Sequence, residues 1–228
     1  MKRVLSVVVF AVIALSWNPP AATQTPADKA APAPAVSPDD QMSQAIEKGD
    51  FTSVVQLLDH GAHIDAQGKD GIRALIAASA MGKIDAVKQL LDRGASVNLK
   101  DKRGDTALNY AVMIANIDEV KLLLDKGANV DLQEEDGLSP LMLSIVSGSA
   151  EIVKLLLDHG ANTELRDKNG FTALMAASGG GLLNLIELLI DKGAKVDAKS
   201  NDGTTAMMLA MKNGKAEVVQ LLRDHGAQ

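Results

Sequence analysis

A glycine recurs every 33 residues along most of this chain, at Gly61, Gly94, Gly127, Gly160, Gly193 and Gly226, each one following an apolar helical pattern. Glycine suits that place because a chain leaving a helix commonly passes through the left-handed region, which side chains disfavour. Two further series keep the same period. Gly71, Gly104, Gly137, Gly170 and Gly203 open each following pattern, and Gly49, Gly82, Gly148, Gly181 and Gly214 lie between paired helical stretches, with Ala115 in the remaining place. The stretch Glu151 to Ala177 shows the unit whole: helix, glycine, extended connector, then a second helix after Asn169 and Gly170. Such a period marks stacked supersecondary units, so the predicted fold class is all-α, a solenoid of helix-turn-helix units joined by hairpin-like loops.

Apolar positions repeat in step with the glycines. Leu57, Leu90, Leu123, Leu156, Leu189 and Leu222 share one slot, and Val54, Val87, Val120, Val153, Ile186 and Val219 share another on the same helix face. Leu75, Leu108, Leu141, Leu174 and Met207 face them from the other helix, beside the small Ala78, Ala111, Ser144, Ala177 and Ala210. A buried Leu or Val contributes roughly 1.5–3 kcal/mol, too little in one unit to hold it folded, so the core must belong to the whole stack.

The register gives a half-unit at 38–67, opened by Ser37 and Pro38, and full units at 68–100, 101–133, 134–166, 167–199 and 200–228. In the last unit Arg223 replaces the aliphatic residue of Leu58, Leu91, Leu124, Leu157 and Ile190, and Lys215, Glu217 and Gln220 share its helix. The first helix carries Asp39, Asp40, Gln41, Gln44, Glu47 and Lys48. Both ends are therefore expected to present polar faces, with the solenoid complete as written and monomeric when alone.

Composition narrows the function classes. The chain is 46% apolar but only 2% aromatic, so the core is aliphatic, and the absence of Cys excludes disulfides, thiolate zinc sites, a cysteine nucleophile and a lipid-anchor cysteine. A net charge of −6, with basic residues scattered among acids, argues against nucleic acid as a partner. Lys2 and Arg3 followed by the short apolar run Val4 to Leu15 read as an export signal over 1–16, with cleavage after Ser16 or after Ala22; a retained N-terminal membrane anchor is the alternative. Residues 17–37 form an Ala/Pro-rich linker, since six of the seven prolines fall between Pro19 and Pro38. No stable membrane insertion is expected after signal cleavage.

The boxes Thr106-Ala107-Leu108-Asn109, Ser139-Pro140-Leu141-Met142, Thr172-Ala173-Leu174-Met175 and Thr205-Ala206-Met207-Met208 resemble the Thr-Pro-Leu-His box of ankyrin repeats. Together with the period, the glycines and the leucines, the resemblance covers residues 38–228. The box proline survives once and its histidine never, which removes the hydrogen bonds that histidine makes between neighbouring repeats in the family. The resemblance implies a protein-protein interaction module whose hairpin tips and first-helix face line a concave side. The Thr-Ala-Leu-Met boxes look like those of bacterial ankyrin proteins and, with the export signal, imply a periplasmic or secreted location.

Candidate chemistry has simpler explanations. His60, His159 and His225 share the slot of Arg93, Lys126 and Lys192 in the last helical turn, where the helix dipole favours a cation. His63 has no neighbour at metal-ligand spacing. Gly179-Gly180-Gly181 lacks the Lys-Ser or Lys-Thr of a phosphate loop and reads as a loosened turn or as room for close backbone approach. The run Glu134-Glu135-Asp136 lacks the spaced oxygen ligands of a calcium loop. No catalytic residue, cofactor or metal is assigned.

What is left is surface recognition. The position after each unit-opening glycine holds Ile72, Asp105, Leu138, Phe171 and Thr204, and Met81, Met113, Ile114 and Val146 follow near the ends of the same helices. They form a candidate apolar stripe for a protein or peptide partner; the alternative is ordinary packing between units. Lys100, Lys102 and Arg103 make one tip basic, and Glu134, Glu135 and Asp136 make the next acidic, a pattern able to fix a partner's register. The function expected is an exported module that binds and stabilises, assists or inhibits another exported protein. An enzyme or small-molecule binder using the concave groove is the alternative.

Overall fold

The computed structural model describes residues 37–227, which form twelve α-helices and no strand. The expected export signal and cleavage site, and nearly all of the expected linker, lie outside the described residues. The first helices of successive units are α1 (Pro38–Lys48), α3 (Ala74–Ala80), α5 (Ala107–Met113), α7 (Pro140–Ser147), α9 (Ala173–Gly180) and α11 (Ala206–Lys212). The second helices are α2 (Phe51–Asp59), α4 (Ile84–Asp92), α6 (Ile117–Asp125), α8 (Ala150–Asp158), α10 (Leu183–Asp191) and α12 (Ala216–Asp224). Each helix packs on its partner, and from α3 onward each first helix packs more closely on the next first helix than the second helices, from α4 onward, pack on one another.

The family box has a local task. Thr106, Ser139, Thr172 and Thr205 are helix N-caps whose side-chain oxygens accept from the backbone N–H of Asn109, Met142, Met175 and Met208. At the other end of the unit the left-handed glycine lets the chain fold back: the Ala161 N–H donates to the Leu156 carbonyl at 3.0 Å, a Schellman closure repeated at Ala62 and Leu57. Ala115 takes the left-handed turn, at φ 54, where the other units use glycine.

Close packing follows from the slots read in sequence. Ala78, Ala111, Ser144, Ala177 and Ala210 have no exposed surface, and neither do Val54, Val87, Val120, Val153 and Ile186. Polar ladders tie the tips. The N–H groups of Lys102, Glu135, Lys168 and Asn201 donate to the carbonyls of Asp70, Arg103, Asp136 and Asn169, one unit earlier. Beside this ladder, Ser96, Asn129, Asn162 and Lys195 donate backbone N–H groups to the side chains of Asp65, Asn98, Asp131 and Glu164. Asp39 of α1 serves His63 in the same way at 2.8 Å, so the half-unit substitutes for a preceding repeat.

The two ends differ from each other, and one differs from expectation. Gln41 and Gln44 give α1 a wet side, as anticipated. At the C-terminal end Arg223 is exposed, but Met208 and Met211 are 55% and 49% exposed on α11. The last face is therefore polar on its second helix and apolar on its first. Glu217 and Gln220 do not cap it: their slots hold Asp85, Asp118, Glu151 and Asn184, and Lys88, Lys121, Lys154 and Glu187, which are wet in every unit.

Candidate partner-binding surface

The expected stripe divides in two. At the C-terminal ends of three consecutive first helices, Met81, Ile114 and Val146 are 42%, 39% and 51% exposed. Met113 is half-buried and packs on the core. The residues behind the unit-opening glycines turn inward: Ile72, Leu138 and Phe171 are half-buried against the core, and Asp105 is only 5% exposed. Asp105 is thus not a presented contact. For three of them the physical reason lies in the tip turn, where the carboxylates of Asp101, Glu134 and Asp167 accept the N–H groups of Asp105, Leu138 and Phe171 at 3.0, 2.9 and 2.8 Å and draw the following side chain down.

The tip charges are also largely engaged within the stack. Arg103, though exposed, lies against its own unit, its Nη2 donating to the Tyr110 hydroxyl at 2.5 Å and lying 3.2 Å from Asp105, with its guanidinium 5.7 Å from the Tyr110 ring centre. Tyr110 in turn donates to Asp101 at 2.9 Å. Burial pushes the Asp105 carboxyl up to about 6; Arg103 opposes that shift, while Asp101 and Glu134 add to it. Burial raises the Tyr110 phenol too, helped by Asp101. Lys102 pairs with Asp70 at 3.4 Å, and Lys168 with Asp136 at 3.7 Å. Glu134 is half-buried by its turn duty, which leaves Glu135 as an exposed acid of that tip. Sequence reasoning missed this cluster, although one signal was available: Tyr110 is the chain's only tyrosine, in a slot held elsewhere by Ala77, Leu143, Ala176 and Leu209.

The histidines bond to their own helices. Nδ1 of His60, His159 and His225 lies 2.7, 2.8 and 2.9 Å from the carbonyls of Gln56, Leu155 and Leu221. Arg93, Lys126 and Lys192, in the same slot, reach back to Asp59, Asp92 and Asp158 of the preceding unit at 2.6, 2.7 and 2.8 Å. Gly179 and Gly180 belong to α9, Gly181 caps it in the left-handed region, and the Gly179 carbonyl accepts from Asn213 at 2.9 Å. Among the described residues no group of three or more His, Asp or Glu side chains converges as a metal site, and no helix is long and apolar enough to cross a membrane.

The model of a family described as ankyrin repeats matches residues 42–134, 74–167, 115–200 and 141–228 in overlapping registers. The chain belongs to the ankyrin-repeat family. No curated protein matches its sequence. In this ankyrin stack the boxes keep their helix-capping threonine or serine while losing the histidine; Met142 and Met175, 3% and 1% exposed, make apolar contact at that slot, and the buried Asn109 accepts there from the Thr106 hydroxyl at 2.7 Å.

Proposed function

We propose that this ankyrin protein is an exported binding module that holds a protein or peptide partner against the ridge formed by Met81, Ile114 and Val146. The observation that carries the reading is that three consecutive units expose a large apolar side chain at the same helix end, while their other large aliphatic side chains are buried or half-buried. An exposed row of this kind rewards a partner that covers it. Lys102 and Glu135, exposed on neighbouring tips, offer opposite charges for orienting that partner. The N-terminal charge pattern and apolar run support export to the periplasm, where the module stabilises, assists or inhibits another exported protein.

Ile114→Glu and Val146→Glu test the surface. Each places a charge on the ridge without removing core, so capture of the native partner from a periplasmic extract should fail while the melting temperature stays near wild type. Retained capture by the double variant would refute the ridge. Fractionation tests the location separately, since a chain found only in the cytoplasm would defeat export.

A further inference from the structure

We infer that the turn joining α5 to α6 is a proton-operated switch, which keeps Ile114 in the ridge while Glu119 holds its proton and releases it when that proton is lost. Glu119 has no exposed surface, and its slot holds Ala86, Ile152, Leu185 and Val218 in the other full units. Its Oε2 accepts from the Asn116 amide at 3.0 Å, and its backbone N–H donates to the Asn116 side-chain oxygen at 3.3 Å. Its Oε1 and the nearby Ser79 hydroxyl are both buried without a complete hydrogen bond. One amide and one loosely placed hydroxyl do not compensate a buried carboxylate, so the side chain is neutral in the closed turn. No opposite charge stands by to replace the proton. α3 and α7, which flank α5, carry no ionisable side chain, and Tyr110 on α5 is engaged with Asp101 and Arg103. On α4, α6 and α8 every other charged residue is exposed; in the same halves of those helices stand Asp85 and Lys88, Asp118 and Lys121, and Glu151 and Lys154. None of them acts on Glu119 through its charge.

The cluster ties two ridge-bearing helix ends together. Ser79 belongs to α3, whose end bears Met81, and Asn116 follows Ile114 at the end of α5. Between Ile114 and Asn116, Ala115 sits at φ 54, where a side chain is strained. A charged Glu119 is drawn to water and takes the bonded Asn116 with it, and that movement relieves the strain at Ala115 instead of opposing it. Ile114, the middle residue of the row, then leaves its line with Met81 and Val146. Because the closed turn holds the proton more tightly than an open one, closure is favoured at low pH and lost as pH rises. What the switch controls rests on the ridge reading: a partner is held below the transition and let go above it.

Amide hydrogen exchange of the full chain, followed by NMR and corrected for its intrinsic dependence on pH, tests this. In the closed turn the N–H groups of Ile114, Ala115 and Asn116 donate to the carbonyls of Tyr110, Val112 and Ala111, each at 3.0 Å. Their exchange should speed up about tenfold from roughly pH 6 to pH 8. Gly181 and Leu182, at the turn where Leu185 replaces the acid, should stay level. Glu119→Gln, close in shape and always neutral, should remove the acceleration with the stack still folded. Ser79→Ala should shift it to higher pH, because the hydroxyl pulls the carboxyl value down. A wild-type turn whose exchange ignores pH would overturn the switch. So would an acceleration shared equally by Gly181 and Leu182, one that persists in Glu119→Gln, or one whose midpoint stays in place in Ser79→Ala. No partner takes part, so each of these failures leaves the ridge standing, and a ridge that fails its capture test leaves the exchange rates unchanged.

Discussion

At the N-terminal end Gln41 and Gln44 stand in slots that interior units fill with Ala74 and Ala77, whereas at the C-terminal end Met208 and Met211 keep the residues of an interior unit and leave them uncovered. The difference teaches that capping a stack requires changing the particular slots that face outward along its axis. Arg223 does so on α12. Glu217 and Gln220 do not, because water reaches those slots in every unit. A polar residue in a terminal repeat is a cap only where its equivalents elsewhere are buried.

The same side chain in the same slot, inside and at the end, gives the sharpest measurement. Met175→Ala, at 1% exposure, should cost about 2–5 kcal/mol in urea unfolding, while Met208→Ala, at 55%, should stay within about 0.5 kcal/mol. Equal losses would mean that the end is covered in solution and would break the comparison of monomer ends.

A second contrast sets a polar group in a buried slot against the wet ones at the ends. Glu119 has no exposed surface and occupies the slot of Ile152, Leu185 and Val218. Burial pushes its carboxyl up from 4.5 to about 7, against the pull of the Ser79 hydroxyl and the Asn116 amide, which donates at 3.0 Å. A raised folded-state value means that the folded chain holds this proton more tightly than the unfolded one. Its contribution is therefore complete below about pH 4.5 and is lost as pH rises through 7. Glu119→Gln should remove this dependence, leaving the variant more stable than wild type at pH 8 by at most on the order of 3 kcal/mol. Parallel melting curves against pH for the two proteins would contradict the buried, neutral carboxyl.

The smallest effect concerns the turns. Ala115→Gly relieves the left-handed strain that the other units avoid, and should stabilise the stack by about 0.5–1 kcal/mol after the entropy of glycine is counted. A destabilised variant would show that the turn in the second full unit is held by more than its backbone angle.

Much of the fold was legible because its determinants are local and periodic. The glycine series, the leucine slots and the small residues Ala78 to Ala210 each state a requirement that does not depend on distant sequence. The candidate surface was legible only in part. Met81, Ile114 and Val146 are exposed as a binding stripe requires, but Ile72, Leu138 and Phe171 looked equivalent to them and turn inward. At Leu138 and Phe171 the backbone N–H donates to a tip carboxylate, at Ile72 it donates to the Lys69 carbonyl, and these turn bonds are not written in the apolar pattern.

The sequence by itself determined the helical repeat, the glycine turns that close its helices and the aliphatic core, because period and residue type fix which face of each helix is apolar. Only the tertiary structure decided that Arg103 joins Asp105 to Tyr110, that Glu119 is buried between helices, and that Met208 and Met175, alike in slot and chemistry, differ in exposure. Burial in a solenoid belongs to the neighbour that stacks on a residue, and a residue's own unit does not contain that information.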